Sequence, residues 1–286
     1  MSLLMSEIAV AAARLAEAGV ESPRADAELM AAHRHGVTRS QLNLVPDAAF
    51  DPRFWDDVAR REAREPLQHI IGSSYFRYLE LAVGPGVFVP RPETEVMTGW
   101  AIDRLNEMDV AEPVVADLGA GSGAIALAIA QEVPRARVHA VEADPLARPW
   151  TERNIARYAA VAPHTSGRVT LHAGDFSSAL PDLDSAVDLV ISNPPYIPVG
   201  ADVPPEVGEY EPSSALYSGA DGLDAIRVVE RVARRLLRPG GRVAVEHGAK
   251  QGTAVYWVFA EEYGWTQTRN NCDLVGLDRF VTAVWP

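Results

Sequence analysis

The chain has almost no cysteine: Cys272 stands alone among 286 residues. A disulfide framework and a cysteine-based zinc site are thereby excluded. No apolar run is long enough to span a bilayer, and the stretch from Met1 to Gly19 carries charges throughout, which a secretory signal does not. Positive charge is scarce as well. Lys+Arg number 26 against 39 Asp+Glu, a formal net charge of −13. A protein whose main partner is bare duplex DNA shows a basic footprint, so direct DNA binding is not expected. The one arginine-rich stretch, with Arg24, Arg34, Arg39, Arg53, Arg60, Arg61 and Arg64, reads as a set of solvated helix faces. Repeats and low-complexity tracts are missing too. With 48% hydrophobic and 23% charged residues, the chain has an ordinary globular composition. A cytoplasmic enzyme fits these absences, with no membrane partner and nothing that demands more than a monomer.

What is present begins with helices. Ile8, Ala12 and Leu15 recur at helical spacing before Gly19. Ser22-Pro23 opens a second helix that ends near Gly36, Ser40 to Leu44 forms a short helix or turn, and Asp51-Pro52 starts another helix with Phe54, Trp55 and Val58 toward a core. His33 and His35 lack carboxylates at ligand spacing, and no metal site is expected. From Pro66 to Pro90 the character changes. Ile70-Ile71, Tyr75-Phe76 and Leu79 to Val83 are short β-prone runs broken by glycine and proline, which predict a β-hairpin linker between domains. Glu93 to Met108 then reads as a helix with acidic residues at its N-terminus.

From Val114 strands alternate with helices. Strands are expected at Val114–Leu118, Arg137–Val141, Val169–Ala173, Val187–Ser192 and Arg242–Val245, with a terminal antiparallel hairpin from Thr266–Asn270 and Arg279–Val284. This alternation implies a mostly parallel sheet with helices on both faces. Three strand ends carry polar groups. Asp117-Leu118-Gly119-Ala120-Gly121-Ser122-Gly123 joins a strand to a helix, where glycines let a ligand approach the backbone. Its G-x-G-x-G order is tighter than the dinucleotide fingerprint. Glu142 ends the second strand and can accept both hydroxyls of a ribose. Asp175 and Phe176 follow the third, a carboxylate and a flat apolar ring suited to adenine. Each carboxylate alone reads as a surface strand-end residue; together they describe an adenosine-shaped site. The fourth strand, Val187 to Ser192, stops on Asn193-Pro194-Pro195-Tyr196. The prolines forbid further pairing and make a rigid lip that presents an amide and an aromatic ring.

These motifs resemble those of class I S-adenosylmethionine-dependent methyltransferases. Val89-Pro90-Arg91-Pro92-Glu93-Thr94-Glu95, Glu211-Pro212 with Ala215-Leu216, and Gly219-Ala220-Asp221-Gly222-Leu223-Asp224 narrow the resemblance to the HemK/PrmC family, the N5-glutamine methyltransferases of peptide chain release factors. It covers nearly the whole chain. It implies an α/β fold, a Rossmann-like, mostly parallel seven-stranded sheet over residues 91–286, preceded by a small N-terminal helical, substrate-recognition domain (1–65) and the hairpin linker (66–90). It implies S-adenosylmethionine as cofactor, S-adenosylhomocysteine as product and release factors as protein partners. Methionine and backbone contacts fall on Gly119, Ala120, Gly121, Ser122 and Gly123. The ribose falls on Glu142, where the family more often has Asp, and adenine on Asp175 and Phe176, where it often has Trp. The substrate glutamine falls on Asn193, Pro194, Pro195 and Tyr196, with Asn193 expected in both subsites and Phe88 closing the pocket near the transferable methyl.

An amide nitrogen is a poor nucleophile, so the enzyme's task is mainly positioning. The expected arrangement has the Asn193 side-chain oxygen and the Pro194 carbonyl accepting the two substrate N–H bonds, while Tyr196 stacks on the amide. The same acceptor pair would serve a glutamine of a ribosomal protein or the planar amine of adenine, as in adenine-N6 methyltransferases. A catalytically silent adenosine-binding module and an NAD-dependent dehydrogenase are further alternatives. The intact Asn-Pro-Pro-Tyr stretch opposes the first and the glycine spacing opposes the second.

Overall fold

The computed structural model describes residues 3–286. The chain forms two units: residues up to Ser73 together with Val203–Tyr210, and Ser74–Asp202 together with Glu211–Pro286. In the first unit, helix α1 (Leu3–Glu17) buries Leu4, Ile8, Ala11 and Leu15, one stripe at helical spacing. Helix α2 (Pro23–His35) starts on the proline after Ser22 and stops at Gly36, whose φ is 61°. Ala27, Met30 and Ala31 of α2 join Phe54 and Val58 of α3 (Phe54–Glu62) and Leu67 and Ile70 of α4 (Leu67–Ile71) in one core. The β-prone pair Ile70-Ile71 is therefore helical. Pro66 begins the turn, Gly72 closes it in the left-handed region, and burial of Ile70 in a helical core outweighs intrinsic preference.

The arginine-rich stretch is not a free basic face. Each of its seven arginines is paired with a carboxylate: Arg24 and Arg39 with Glu28, Arg34 and Arg60 with Asp57, Arg60 also with Glu65, and Arg53 with Asp51. Arg61 bonds Asp26 at 2.8 Å and Glu206 at 3.1 Å, while Arg64 bonds Glu206 at 2.6 and 2.7 Å. Glu206 lies in α8 (Pro205–Gly208). With the Tyr210 hydroxyl, which donates to the Ala63 carbonyl at 2.6 Å, these bonds explain why residues 203–210 fold with the first unit.

The second unit begins at a two-stranded ladder of β1 (Ser73–Phe76) and β2 (Leu79–Ala82). Its main sheet has seven strands: β3 (Val114–Leu118), β4 (Arg137–Glu142), β5 (Val169–Ala173), β6 (Val187–Ser192), β7 (Leu237–Glu246), β8 (Thr266–Cys272) and β9 (Asp278–Val284), in spatial order β5-β4-β3-β6-β7-β9-β8. Strands β3 to β7 run parallel. The terminal pair is antiparallel as expected, with β9 between β7 and β8. Helices α5 (Pro92–Glu107), α6 (Ala124–Glu132), α7 (Arg148–Val161), α9 (Asp224–Leu236) and α10 (Gly252–Val258) complete the unit.

Alternate residues of the strands enter two separate cores. Val115, Val138, Ala140, Leu189 and Ile191 pack with α5, α6, Phe76, Leu79 and Leu81. Ala116, Leu118, Val141, Val190, Val243 and Val245 pack with α9, Phe259 and Trp265. Period-two alternation with apolar residues on both sides is the pattern of a doubly covered sheet. Every residue of β6 is buried, and α6 buries Ala124 to Ala130 without a break. The chain crosses from β3 out to β4 and β5, then returns to place β6 on the other side of β3. The crevice at the C-terminal ends of β3 and β6 is the topological switch point, where open α/β sheets bind ligands.

Candidate active site

The glycine turn leaves β3 at that crevice. Gly119, Gly121 and Gly123 have φ of 84°, 56° and 84°, conformations that a side chain would strain. The Gly119 and Ala120 N–H groups donate to the Val141 carbonyl, each at 2.9 Å. Helix α7 holds the other side of the turn. Thr151 Oγ1 donates to the Gly121 carbonyl at 2.6 Å and Asn154 Nδ2 to the Ser122 carbonyl at 2.9 Å. Neither residue was marked by the sequence motifs; the available signal was a pair of polar residues, three apart, on a helix that would bury them. Behind the turn, Asp117 is wholly buried and accepts the Ala126 N–H at 3.1 Å. Burial, and secondarily Glu142, push its carboxyl up to about 7.

Glu142 ends β4 with only 8% of its surface exposed. One carboxylate oxygen accepts the Gly121 N–H at 2.7 Å and the other the Asp144 N–H at 2.8 Å. Burial raises its pKa against these bonds. Asp175 is exposed; its carboxylate caps the turn it opens by accepting the Ser177 N–H at 2.7 Å, and the Ser177 hydroxyl first, then this N–H, hold its pKa below the usual range. Phe176 is half-buried against the second core.

Asn193 follows β6, and its carbonyl oxygen lies 4.0 Å from where a Gly119 Cβ would stand, so the glycine turn and the Asn-Pro-Pro-Tyr lip meet. Asn193 Nδ2 donates to Thr94 Oγ1 at 3.1 Å, leaving Oδ1 as the acceptor on that side chain. Tyr196 directs its hydroxyl to Glu246 Oε1 at 3.4 Å. Gln251 Nε2 donates to the Tyr196 carbonyl at 2.9 Å. Phe88 is fixed by its neighbours: Arg91 stacks over its ring at 4.5 Å, and Glu211 takes Arg91 Nη2 at 2.6 Å and the Val89 N–H at 3.2 Å. Those bonds give a physical reason for the Val-Pro-Arg-Pro-Glu-Thr-Glu and Glu-Pro stretches.

These pieces enclose a cavity of ≈ 550 Å³. Phe88, Gly119, Ala120, Gly121, Ser122, Glu142, Asp175, Phe176, Asn193, Pro195 and Tyr196 all line it. Two expected residues do not. Pro194 is buried behind the lip, and Gly123 caps α6, with space for its missing Cβ taken by Thr151 at 3.1 Å. Thr94, Asp144 and Ser214 also line the cavity, and Ser214 Oγ donates to Asp144 Oδ2 at 2.8 Å. Among the described residues no group of three or more His, Cys, Asp or Glu could hold a metal ion, and no helix is long and apolar enough to cross a membrane.

A doubly wound sheet with an antiparallel last strand pair, a glycine turn and a lined crevice at its switch point define a methyltransferase of the Rossmann-like class. Residues 81–208 match the family described as Methyltransferase small domain, and residues 8–72 the PrmC N-terminal domain. The chain is 59% identical over 285 residues to a release factor glutamine methyltransferase of Streptomyces coelicolor, covering 99% of this chain and 98% of that one. It belongs to the release factor glutamine methyltransferase family. A 4-amino-L-phenylalanine/4-methylamino-L-phenylalanine methyltransferase of Streptomyces pristinaespiralis is 40% identical, covering 96% of this chain and 92% of the relative. Among solved structures, a 16S rRNA N2 G1207 methyltransferase of T. thermophilus in complex with AdoMet and guanosine shares the fold, with a TM-score of 0.50 and 23% identity over 75% of this chain and 50% of that one.

Proposed function

We propose that the protein transfers a methyl group from S-adenosylmethionine to N5 of the glutamine in the Gly-Gly-Gln motif of peptide chain release factors, releasing S-adenosylhomocysteine. The observation that carries this reading is the orientation of Asn193. Its amide nitrogen is engaged by Thr94, so the cavity-lining side chain offers an oxygen to an incoming N–H. A substrate amide presents two N–H bonds, and Asn193 Oδ1 accepts one of them. Tyr196 packs on the flat amide, and Pro195 stiffens the lip. Acceptors aimed at a nitrogen that gains positive charge stabilise the transition state as an oxyanion hole does for the opposite sign.

The cavity suits the cofactor. Its volume is that of a small-molecule site. Each Glu142 oxygen accepts one backbone N–H and has lone-pair capacity left for a ribose hydroxyl. Asp175 and Phe176 offer a carboxylate and a ring face for adenine, and Gly119 to Ser122 line the path between them and Asn193. When bound, S-adenosylmethionine supplies a strongly electrophilic methyl. The protein's residues position the amide against it and exclude water. Release factors serve the ribosome, which places this activity in the cytoplasm.

The test is transfer of a labelled methyl group to a recombinant release factor. Label is expected on the intact factor and absent when the Gly-Gly-Gln glutamine is changed. Free 4-amino-L-phenylalanine and single-stranded DNA serve as rival acceptors in the same assay. Preferential labelling of either one overturns the assignment.

A further inference from the structure

The turn that joins β8 to β9 stands at the same edge of the sheet as the Asn-Pro-Pro-Tyr lip. Ser192, the last residue of β6, pairs with Val245, and the next residue of β7, Glu246, pairs with Phe280 of β9. Because β9 is antiparallel to β7, the residues before Phe280 lie beyond the C-terminal end of β7. Adjacent strands are about 4.8 Å apart, which puts β9 about 10 Å from β6. Gln251 and Gly252 join the lip to the base of this hairpin. Gln251 Nε2 donates to the Tyr196 carbonyl at 2.9 Å, and a Cβ on Gly252 would stand 2.5 Å from Asp278 Oδ2.

Residues 273–277 make a turn that is both fixed and apolar. Asp273 is buried. Its Oδ1 accepts the Val275 and Leu277 N–H groups at 3.1 and 3.0 Å, its Oδ2 accepts from Arg279 at 3.1 Å, and its own N–H donates to the Leu277 carbonyl at 2.8 Å. Gly276 supplies the left-handed residue, with φ of 84°. Three apolar side chains ride on this frame: Leu274 is 91% exposed, Val275 81% and Leu277 50%. The first two are the most exposed large apolar side chains among the described residues, and none of the three enters a hydrophobic core. Gly, Pro, Asn, Asp and Ser are the residues that turns need, so joining two strands does not call for Leu and Val here. Bonds within the turn fix it before anything touches it, which lowers the ordering cost of binding.

What covers the turn follows from the reaction. A release factor whose glutamine side chain reaches Asn193 must lay its own surface over the rim of the crevice. A specific protein partner covers about 800 Å² on each side, a patch roughly 30 Å across. A hairpin whose nearer strand lies about 10 Å from β6 falls inside that patch. We propose that the turn 273–277 is a docking surface for the release factor, with Leu274 and Val275 as apolar anchors against the domain that carries Gly-Gly-Gln. This rests on the release factor being the methyl acceptor. The anchors touch neither the reacting atoms nor the cofactor, so they set affinity for the protein substrate and leave the chemical step alone.

The experiment measures kcat and KM of the full-length enzyme on a release factor, S-adenosylhomocysteine affinity by calorimetry, melting temperature, and mass in solution by ultracentrifugation. The Leu274→Ser/Val275→Ser double variant removes the anchors and Leu274→Lys charges one of them. Val161→Ser is the control, since it removes a 67% exposed apolar side chain from the last residue of α7. The double variant is expected to raise KM about tenfold, with kcat and cofactor affinity within about twofold. Leu274→Lys raises KM in the same direction, and Val161→Ser behaves as the wild type. A KM unchanged in both anchor variants, a loss confined to kcat, or an equal rise in Val161→Ser overturns the inference. So does a wild-type dimer that the double variant dissolves with KM unchanged, because the turn then serves a second copy of this chain. Should the double variant fail to fold, Leu274→Lys against Val161→Ser decides: equal KM in those two overturns it. Absence of methyl transfer from the wild-type enzyme to the release factor overturns instead the reading on which it rests.

Discussion

Gly222 lies against the backbone of Tyr196. A Cβ on Gly222 would come within 3.0 Å of the Tyr196 carbonyl oxygen and of Gln251 Nε2, and its φ is 78°. The Gly-Ala-Asp-Gly stretch is therefore a support under the Asn-Pro-Pro-Tyr lip, with Gln251 bridging the carbonyls of Tyr196 and Asp221 at 2.9 and 3.1 Å. Gly222→Ala must move that support. Turnover is expected to fall about 10- to 100-fold through displacement of the acceptor groups, while S-adenosylhomocysteine still binds. Kinetics paired with calorimetry check this; a variant with wild-type kcat would contradict it.

Asn193→Ala removes the side-chain acceptor and leaves the glycine turn intact. The expected loss in kcat is about 100- to 1000-fold, with cofactor affinity retained. Single-turnover methyl transfer gives the answer without interference from product release.

Glu142→Ala strips partners from the Gly121 and Asp144 N–H groups and from any ribose placed there. Charge-assisted bonds of this kind contribute about 1.5–3 kcal/mol each, so S-adenosylhomocysteine affinity should weaken by at least tenfold, roughly 1.4 kcal/mol. Calorimetric titration measures it, and an unchanged Kd would exclude Glu142 from the cofactor site.

Acid-base behaviour gives a fourth expectation. Burial pushes Asp117 and Glu246 to about 7, from ordinary values of 3.8 and 4.5. The folded protein therefore keeps protons that the unfolded chain has already released across that interval. The stability tied to these carboxyls is full below the unfolded values and is lost as pH rises through about 7. Carboxylates held low by arginine, such as Asp51 at about 2, lose their contribution only in more acidic solution. Asp117→Asn keeps a neutral group at every pH. Its melting temperature should fall less than that of the wild type between about pH 5 and about pH 8; parallel falls in the two proteins would refute this.

Much of the site was legible because strand ends were legible. Val187 to Ser192 is apolar enough to be a central strand, and two prolines fix where it stops, so Asn193 and Tyr196 could be placed at the crevice from the sequence. The glycine turn, Glu142 and Asp175 followed from the same rule. Thr94, Thr151, Asn154 and Glu246 were not legible in that way. Each is a polar residue inside a helix or at a strand end whose partner lies tens of positions away, and only the packing of α5 and β7 against the lip and of α7 against the glycine turn brings those partners within reach. Ile70-Ile71 misled because β-branched residues favour strands in isolation, whereas Pro66 and Gly72 bound a segment with room only for a turn of helix. Nor could spacing show that the seven arginines near the N-terminus are matched by Asp26, Glu28, Asp51, Asp57, Glu65 and Glu206.

The carboxylate of Glu206 is what Arg61 and Arg64 share, and it arrives late. During synthesis the helices up to Ser73 leave the ribosome first, but the segment Val203–Tyr210 that completes their unit follows more than a hundred residues behind. The first part of the chain to be made is thus not the first that can be finished. Until then, two guanidinium groups wait without the partner they share. A chain shortened to begin after Ser73 would carry the opposite defect: a helical turn bearing Glu206 with no arginine to meet it.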